Sequence, residues 1–273
     1  MDTDQKPQAI HSQIWREDPE PDNPFATRVA RCHGYDVYGE MLGNARWVDM
    51  LHLLFQGDAP TPAAAGLLEA LAVALANPGP RDHSVHAAMC SGTCGSPAAA
   101  SLMAALAVGA GSLSGGREIF LAVQDWSDCG TDLEAWCNRI RHRPVPEKIT
   151  SWPAPEHPPG FDPHGVRTTL VVQQTLEVLA RLSPGDKLRW LREHRADLEG
   201  AAGLPLSLAG VAAAAFADLG FPAEAAEMAY LMLRLPGAAA HALEQWKFGH
   251  KKFPFYENEF ETDRPSPAME VEA

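Results

Sequence analysis

The 273-residue sequence predicts an all-α protein, on three observations. Apolar residues make up 46% of the chain, with a heavy use of alanine, the strongest helix former. Clusters of β-branched residues, which favour strands, are scarce. Apolar residues recur at helical spacing in segments separated by Pro/Gly turns. The length suits one large domain or two smaller ones, enough to bury a sizeable core.

Residues 1–24 are polar and punctuated by proline, which predicts an extended arm. Residues 41–57, MLGNARWVDMLHLLFQG, set Met41, Leu42, Trp47, Val48, Leu51, Leu54 and Phe55 on one helical stripe stopped by Gly57. Pro60-Thr61-Pro62 starts a second helix through Ala76, and Asn77-Pro78-Gly79-Pro80 ends it. Residues 98–108 predict a small-residue helix suited to close packing, and 132–140 a short amphipathic piece. Seven prolines in 144–163 exclude regular helix and predict a long loop. Helical patterns resume at 167–182, 186–198, 206–217, 222–233 and 237–248, the last two separated at Pro236-Gly237. Gly220-Phe221-Pro222 reads as a turn with proline at the first helical position. The acidic, proline-rich tail 257–273 is expected to be disordered. No internal repeat is visible.

The net charge of −13 argues against nucleic acid or an anionic membrane as partner, since both need basic patches. An anionic small molecule stays compatible, because a few arginines make a local positive pocket. The five cysteines include Cys90 and Cys94, whose C-x-x-x-C spacing matches neither a zinc knuckle nor a redox pair. Reduced thiols in a cytoplasmic protein are expected. The N-terminal stretch lacks the apolar core of a signal peptide. No run approaches the ~20 apolar residues of a membrane span.

Four stretches stand out. GAGSLSGG (109–116) packs four glycines and two serines into eight residues. A dinucleotide fingerprint needs glycine where Ser114 stands, and a phosphate loop needs Gly-Lys-Ser/Thr where Arg117 and Glu118 follow. Both nucleotide readings fail, leaving a tight turn with close backbone approach. RDHSVHAAMCSG (81–92) carries His83 and His86, and HPPGFDPHGVR (157–167) carries His157, Asp162, His164 and Arg167. LRLPGAAAHALEQ (233–245) sets Arg234 before the Pro-Gly pair, with His241 and Glu244 beyond it. No H-x-x-x-H or C-x-x-C spacing supports a metal. Any single histidine here also reads as a hydrogen-bonded structural residue. Together the clusters suit a polycarboxylate held by bidentate arginine and imidazolium donors.

The order of these features resembles the citrate synthase superfamily, in particular its short citryl-CoA-lyase-like branch. LHLLFQGDAPTP (51–62) is similar to that family's opening, and DHSVHAA (82–88) to the segment with its oxaloacetate-binding histidine. GAGSLSGG falls at the family's GPLHGG turn, and PGFDPHGVR (159–167) resembles its GFGH…DPR loop. Residues 209–245 are similar to the family's NVDG…RTPG segment. The match runs from about residue 35 to residue 256 and is tightest at its C-terminal end.

The resemblance implies a citrate-synthase-like helical fold and a homodimer, with the active site in a cleft between domains. It divides the chain into an arm (1–34), a large domain (35–117 plus 209–256), an inserted small domain (118–208) and the tail. It implies a coenzyme A thioester and a keto or hydroxy polycarboxylic acid as ligands, with no bound cofactor or metal. His83 matches the substrate-binding histidine, and Arg167 and Arg234 the carboxylate-holding arginines. Lys251 or Lys252 stands where a partner-subunit arginine is implied. His164, one residue displaced, matches the loop histidine, with Asp162 beside it. The turn histidine, however, is Ser114 here, and the proton-abstracting aspartate is Ala209. A positioned base is worth ~10²–10⁴ in rate and an oxyanion donor ~10²–10³.

Two functions follow. One is a lyase or synthase of an acyl-CoA C–C bond in which His164, Asp162 or His83 has taken over proton transfer. The other is a non-catalytic protein that binds a CoA ester or dicarboxylate. A structural or assembly role, or an unrelated reaction in the same cleft, is the remaining alternative.

Overall fold

The computed structural model describes residues 10–143, 155–254 and 256. The first part of the predicted proline loop (144–154) and the acidic tail (257–273) lie outside the described residues.

The described part of the N-terminal arm is a correction to the sequence reading: from Trp15 onward it enters a small antiparallel sheet. Strands β1 (Trp15–Pro19), β2 (Thr27–Cys32) and β3 (Tyr35–Asp36) lie in that order, with Trp15 opposite Cys32. His33 (φ 47°) and Gly34 (φ 94°) make the tight turn between β2 and β3, the left-handed pair that a two-residue hairpin requires. Asp18 ties the ribbon together by accepting from Arg16 and, across the strands, from Arg31. Only Ala30 and Cys32 of the sheet turn into the core.

The rest of the described chain is helical: α1 (Trp47–Gln56), α2 (Pro62–Leu75), α3 (His83–Thr93), α4 (Ala98–Gly109), α5 (Gly116–Cys129), α6 (Leu133–Arg141), α7 (Leu170–Leu182), α8 (Lys187–Ala202), α9 (Leu208–Asp218) and α10 (Ala223–Phe248). Met41, expected to start the first helix, instead ends a π turn (Val37–Met41), and α1 begins only at Trp47. There the Asp49 carboxylate accepts from the Arg46 N–H at 2.8 Å, and Gly57 ends the helix in the left-handed region. Helices α3 and α5 have no counterpart in the sequence reading.

The expected break at Pro236-Gly237 does not occur; α10 runs through both residues. Proline removes one hydrogen bond from a helix interior, and the adjacent glycine uses its own outside the helix. The Gly237 N–H donates to the carbonyl of Ala76, the C-cap of α2, at 2.7 Å. A Cβ on Gly237 would stand 2.6 Å from that oxygen. The Pro-Gly pair thus marks a helix crossing.

Helix α9 is apolar on all sides and sits centrally, with every residue from Ala209 to Phe216 buried. One hydrophobic core joins it to α1, α2, α5–α8 and α10. A second, smaller cluster lies under α3, α4 and α10. There Gly92 of α3 leaves no room for a Cβ against the Ala242 carbonyl of α10, so the two backbones meet directly. Trp126 meets Trp136 and Trp190 edge to face where α5, α6 and α8 converge. Beneath them the Asp125 carboxyl, 2% exposed, accepts from Arg139 at 2.8 Å and Arg143 at 2.7 Å. Burial still pushes Asp125 above the ordinary carboxylate range, against the pull of both arginines. The start of α8 is capped from α9: Asp218 accepts from the N–H groups of Lys187 and Leu188 at 2.9 and 3.0 Å.

All five cysteines are free, and burial pushes the Cys32 and Cys129 thiols up. Among the described residues no helix is long and apolar enough to cross a membrane, and no group of three His, Cys, Asp or Glu could hold a metal ion.

Candidate functional site

The GAGSLSGG turn joins α4 to α5, and its glycines are required by space. A Cβ on Gly115 would stand 2.7 Å from the Gly109 carbonyl and closer still to that of Gly111. A Cβ on Gly116 would press on Leu231 and Glu227 of α10 at 3.1 and 3.2 Å. The backbone therefore folds onto itself and onto α10, and Ser114 emerges at the tip, exposed and left-handed at φ 52°. A non-glycine residue in that region is strained unless its surroundings over-determine it.

At Ser114 they do, from two helices. Its N–H donates to Glu118 Oε2 of α5 at 2.5 Å. Its carbonyl accepts from Arg234 Nη1 of α10 at 2.6 Å and from the Tyr230 hydroxyl at 3.0 Å. Arg234 Nη1 also donates to the Tyr230 oxygen at 3.1 Å, while Nη2 forms an ion pair with Asp82. Asp82 is the N-cap of α3, and its other oxygen accepts from the Ser84 N–H at 3.0 Å. Arg234, Glu118 and Tyr230 are all buried, at 7%, 2% and 3% exposure. Burial pushes the Tyr230 phenol up to about 12, against the pull of the adjacent Arg234 cation. Both backbone polar groups of Ser114 are spoken for, so its Oγ is the group left to face outward.

The second segment of the site is the loop before α7. Gly160 sits against α9, its Cβ position 3.0 Å from the Gly210 Cα, and its carbonyl accepts from the Ser207 N–H at 2.9 Å. The Gly160 N–H donates to Glu118 Oε1 at 2.8 Å. Glu118 therefore joins the serine turn to this loop, and the loop to the start of α9, where Ala209 lies buried at 2% exposure. His157 Nε2 faces the same Oε1 at 3.9 Å, beyond hydrogen-bond distance. It is buried with no hydrogen-bond partner among the described residues.

Among the residues expected from sequence, Ser114 and Arg234 are in direct contact, and Asp82 brings the start of α3, where His83 lies exposed, to the same arginine. Asp162 shapes its own loop: it accepts from the His164 N–H at 2.9 Å, and its own N–H donates to the Pro205 carbonyl at 2.9 Å. The His164 side chain is exposed. Arg167 lines an open groove of about 370 Å³ with Thr168, Gln173, Arg195 and Glu199. Lys252 lies in a 3₁₀ turn, His250–Lys252, with Nζ 4.9 Å over the Phe248 ring. The following Phe253 stacks on His86 at 5.3 Å, so this chain's own C-terminal segment packs on α3. His241 pairs with Asn77 at 3.2 Å and Glu244 at 3.4 Å. Sequence reasoning missed Glu118, whose link to Gly160 spans 42 residues, and Tyr230. The Ile119, Ala122, Val123 and Trp126 stripe of α5 was the signal that places Glu118 on a helix start facing inward.

The helical fold is similar to that of citryl-CoA lyase and ATP citrate lyase structures. The structure is similar to citryl-CoA lyase from Hydrogenobacter thermophilus, with a TM-score of 0.66 at 16% identity over 94% of this chain and 98% of that one. It is also similar to ATP citrate lyase from Methanothrix soehngenii in complex with citrate and coenzyme A (TM-score 0.67, 16% identity, 93% of this chain). A third similar structure is a mutant ATP citrate lyase from Methanosaeta concilii in complex with (3S)-citryl-CoA (TM-score 0.65, 17% identity, 93% of this chain). This chain spans 42% of each of those two longer chains. No protein-family model and no curated protein matches the sequence.

Proposed function

We propose that this chain binds a coenzyme A thioester of a polycarboxylic acid at the Ser114 turn and holds it without efficient C–C bond cleavage. The observation that carries the reading is the clamp on Ser114. A strained residue fixed at both backbone polar groups by buried side chains from two helices is the economy of a ligand-facing group. The Oγ suits a thioester oxygen, and the exposed His83 and His164 suit the carboxylates. The fold's likeness to lyases solved with citrate, coenzyme A and citryl-CoA supports the ligand class. Ala209 supports slow chemistry: it cannot accept a proton, and hydrophobic core closes over it.

The same proposal includes the two-lobe division, 35–117 with 209–256 and 118–208, which puts the serine turn at the seam. It also includes a homodimer. The exposed Met103 and Val108 on α4, and Met228, Met232, Leu243 and Trp246 on α10, offer an apolar surface on the helices that flank the site. A monomer by light scattering at micromolar concentration would refute it.

The test of binding is calorimetry of the pure protein with citryl-CoA, acetyl-CoA and coenzyme A, alongside an assay for released acetyl-CoA. Saturable binding is expected, with cleavage slower by roughly 10²–10⁴ than in a lyase carrying a base. No binding of any of the three ligands overturns the reading. A second reading, a working lyase, is favoured by one observation: the ionisable pair Glu118 and His157 lies directly beneath the turn. Multiple-turnover release of acetyl-CoA from citryl-CoA would establish it in place of the first.

A further inference from the structure

Glu118 is a carboxylate at 2% exposure, and a buried carboxylate needs its oxygens satisfied. Two backbone donors do this, and they belong to different parts of the site. Oε2 takes the Ser114 N–H at 2.5 Å and Oε1 the Gly160 N–H at 2.8 Å. A carboxylate offers about four lone-pair positions, so Oε1 can accept again. The group facing it is His157 Nε2 at 3.9 Å.

His157 is the second half of the observation. Its side chain is 8% exposed, and Nε2 has no hydrogen-bond partner among the described residues. A buried polar atom left unpaired is costly, yet a movement of about 1 Å would bring this one within bonding distance of Glu118. The imidazole and the Gly160 N–H share one short loop and one carboxylate oxygen. The Ser114 N–H holds the other oxygen of the same carboxylate.

We propose that Glu118 is a positioning residue for Ser114, and that His157 is the moving arm of the same device, closing onto Glu118 Oε1 when a thioester occupies the serine turn. This rests on the reading that Ser114 faces a ligand. Glu118 sets the direction of Ser114 Oγ through the backbone and never touches the ligand. Closure of His157 satisfies the orphaned nitrogen and fixes the loop that carries Asp162 and His164 against the turn. The bound state thereby gains a hydrogen bond that the free state lacks.

The test uses the full chain and citryl-CoA. Glu118→Gln keeps the side-chain shape but turns an amide NH₂ toward one of the two backbone donors. It should weaken binding by about fivefold, the worth of the one hydrogen bond from Ser114 Oγ that it positions. In a Ser114→Ala background the same substitution should cost no more than about twofold, because a positioning residue has nothing left to position. Equal losses in both backgrounds would overturn the proposal. Two further readouts separate this inference from the binding reading. In Glu118→Gln without ligand, amide exchange should accelerate at Ser114 or Gly160, whichever donor faces the new NH₂; wild-type protection at both sinks the coupling whatever the ligand does. In wild type, the ¹⁵N resonance of His157 Nε2 should shift when citryl-CoA binds, and binding that leaves it unmoved sinks the closing arm. Where Glu118→Gln does not fold, His157→Leu serves, since it removes the ring donor and lies outside every described helix. It should weaken binding and leave Ser114 exchange unchanged in the free protein; unchanged affinity overturns the proposal. Failure of wild type to bind any CoA ester overturns the ligand-facing reading and the positioning role with it.

Discussion

Arg234 Nη1 donates to the carbonyl oxygen of Ser114 at 2.6 Å, tying the long C-terminal helix to a turn 120 residues earlier in the chain. The glycines of GAGSLSGG make the turn possible, but they do not aim it. The aim comes from Glu118 on one side of the Ser114 peptide units, and from Arg234 and Tyr230 on the other. Arg234 is held in turn by Asp82, the cap of α3. A single buried cation thus connects α3, α10 and the serine turn. The arginine that the family resemblance assigns to a carboxylate is already engaged with this chain's own groups.

That engagement makes Arg234 a stability residue. Arg234→Ala removes the partner of an Asp82 carboxylate whose side chain is only 16% exposed, and frees the Ser114 carbonyl. Breaking a buried pair at one end costs about 3–5 kcal/mol, because the other charge stays behind. Urea unfolding should show a loss of that order. Adding Asp82→Asn should recover part of it, since asparagine still caps α3 and carries no charge. A loss below about 1 kcal/mol for Arg234→Ala would mean that water already solvates the pair.

Tyr230 adds a dependence on alkaline pH. Its phenol is pushed up to about 12 in the folded chain, against an ordinary value of about 10 in the unfolded one. Between those two values the folded state holds a proton that the unfolded state has lost. Stability therefore falls as pH rises through that window, with about 2–3 kcal/mol lost by its upper end. Below about pH 10 the term is constant. Denaturation midpoints for wild type and Tyr230→Phe, compared across this window, isolate it: the wild-type curve should fall more steeply. Parallel curves would show that the phenol ionises alike in both states.

How much of this was legible follows from where the information lies. Helices α2, α6 and α7 carry caps and apolar stripes within their own sequence, and those segments were read as helices. The hairpin was not, because strands β1 and β2 carry charged residues that pair across the ribbon, Asp18 with Arg31, and turn few apolar side chains inward. Helix α3 is rich in Ser, His, Cys and Gly, poor helix formers whose packing against α10 overrides propensity. Ser114 and Arg234 were singled out locally, each by its glycine or proline frame. Glu118 was not, because its meaning lies in a contact 42 residues away that no local pattern encodes.

The Pro236-Gly237 pair shows how a local signal misleads, and it yields a prediction. Gly237 meets Ala76 and Asn77 at 2.6 and 2.7 Å from its Cβ position, so Gly237→Ala must push the α2–α10 crossing apart. About 1–3 kcal/mol of destabilisation is expected. Pro236→Ala restores a helical N–H without touching α2, and should be neutral or stabilising, despite proline being the residue that looks like the breaker. Thermal unfolding of the two variants decides the order; a larger loss for Pro236→Ala would mean that proline itself sets the crossing.

Ser114 separates what the turn needs from what the ligand needs. At φ 52° its backbone is one that glycine adopts freely and that disfavours β-branched residues most. Ser114→Gly relieves strain of about 1–2 kcal/mol and adds unfolded-state entropy worth about 0.4–1 kcal/mol. Stability should then stay within about 1 kcal/mol of wild type or rise slightly, since the clamp acts on backbone atoms that glycine also has. Ser114→Val keeps the backbone contacts but should lose about 1–2 kcal/mol to strain. Ser114→Gly and Ser114→Ala should each weaken citryl-CoA binding by about 1 kcal/mol, the net worth of one hydrogen bond from Oγ. If Ser114→Gly instead unfolds the turn and leaves affinity intact, the serine is there for the fold and the ligand sits elsewhere. If it keeps the fold and loses the ligand, strain at position 114 is the cost of presenting a hydroxyl where glycine would suffice for the chain.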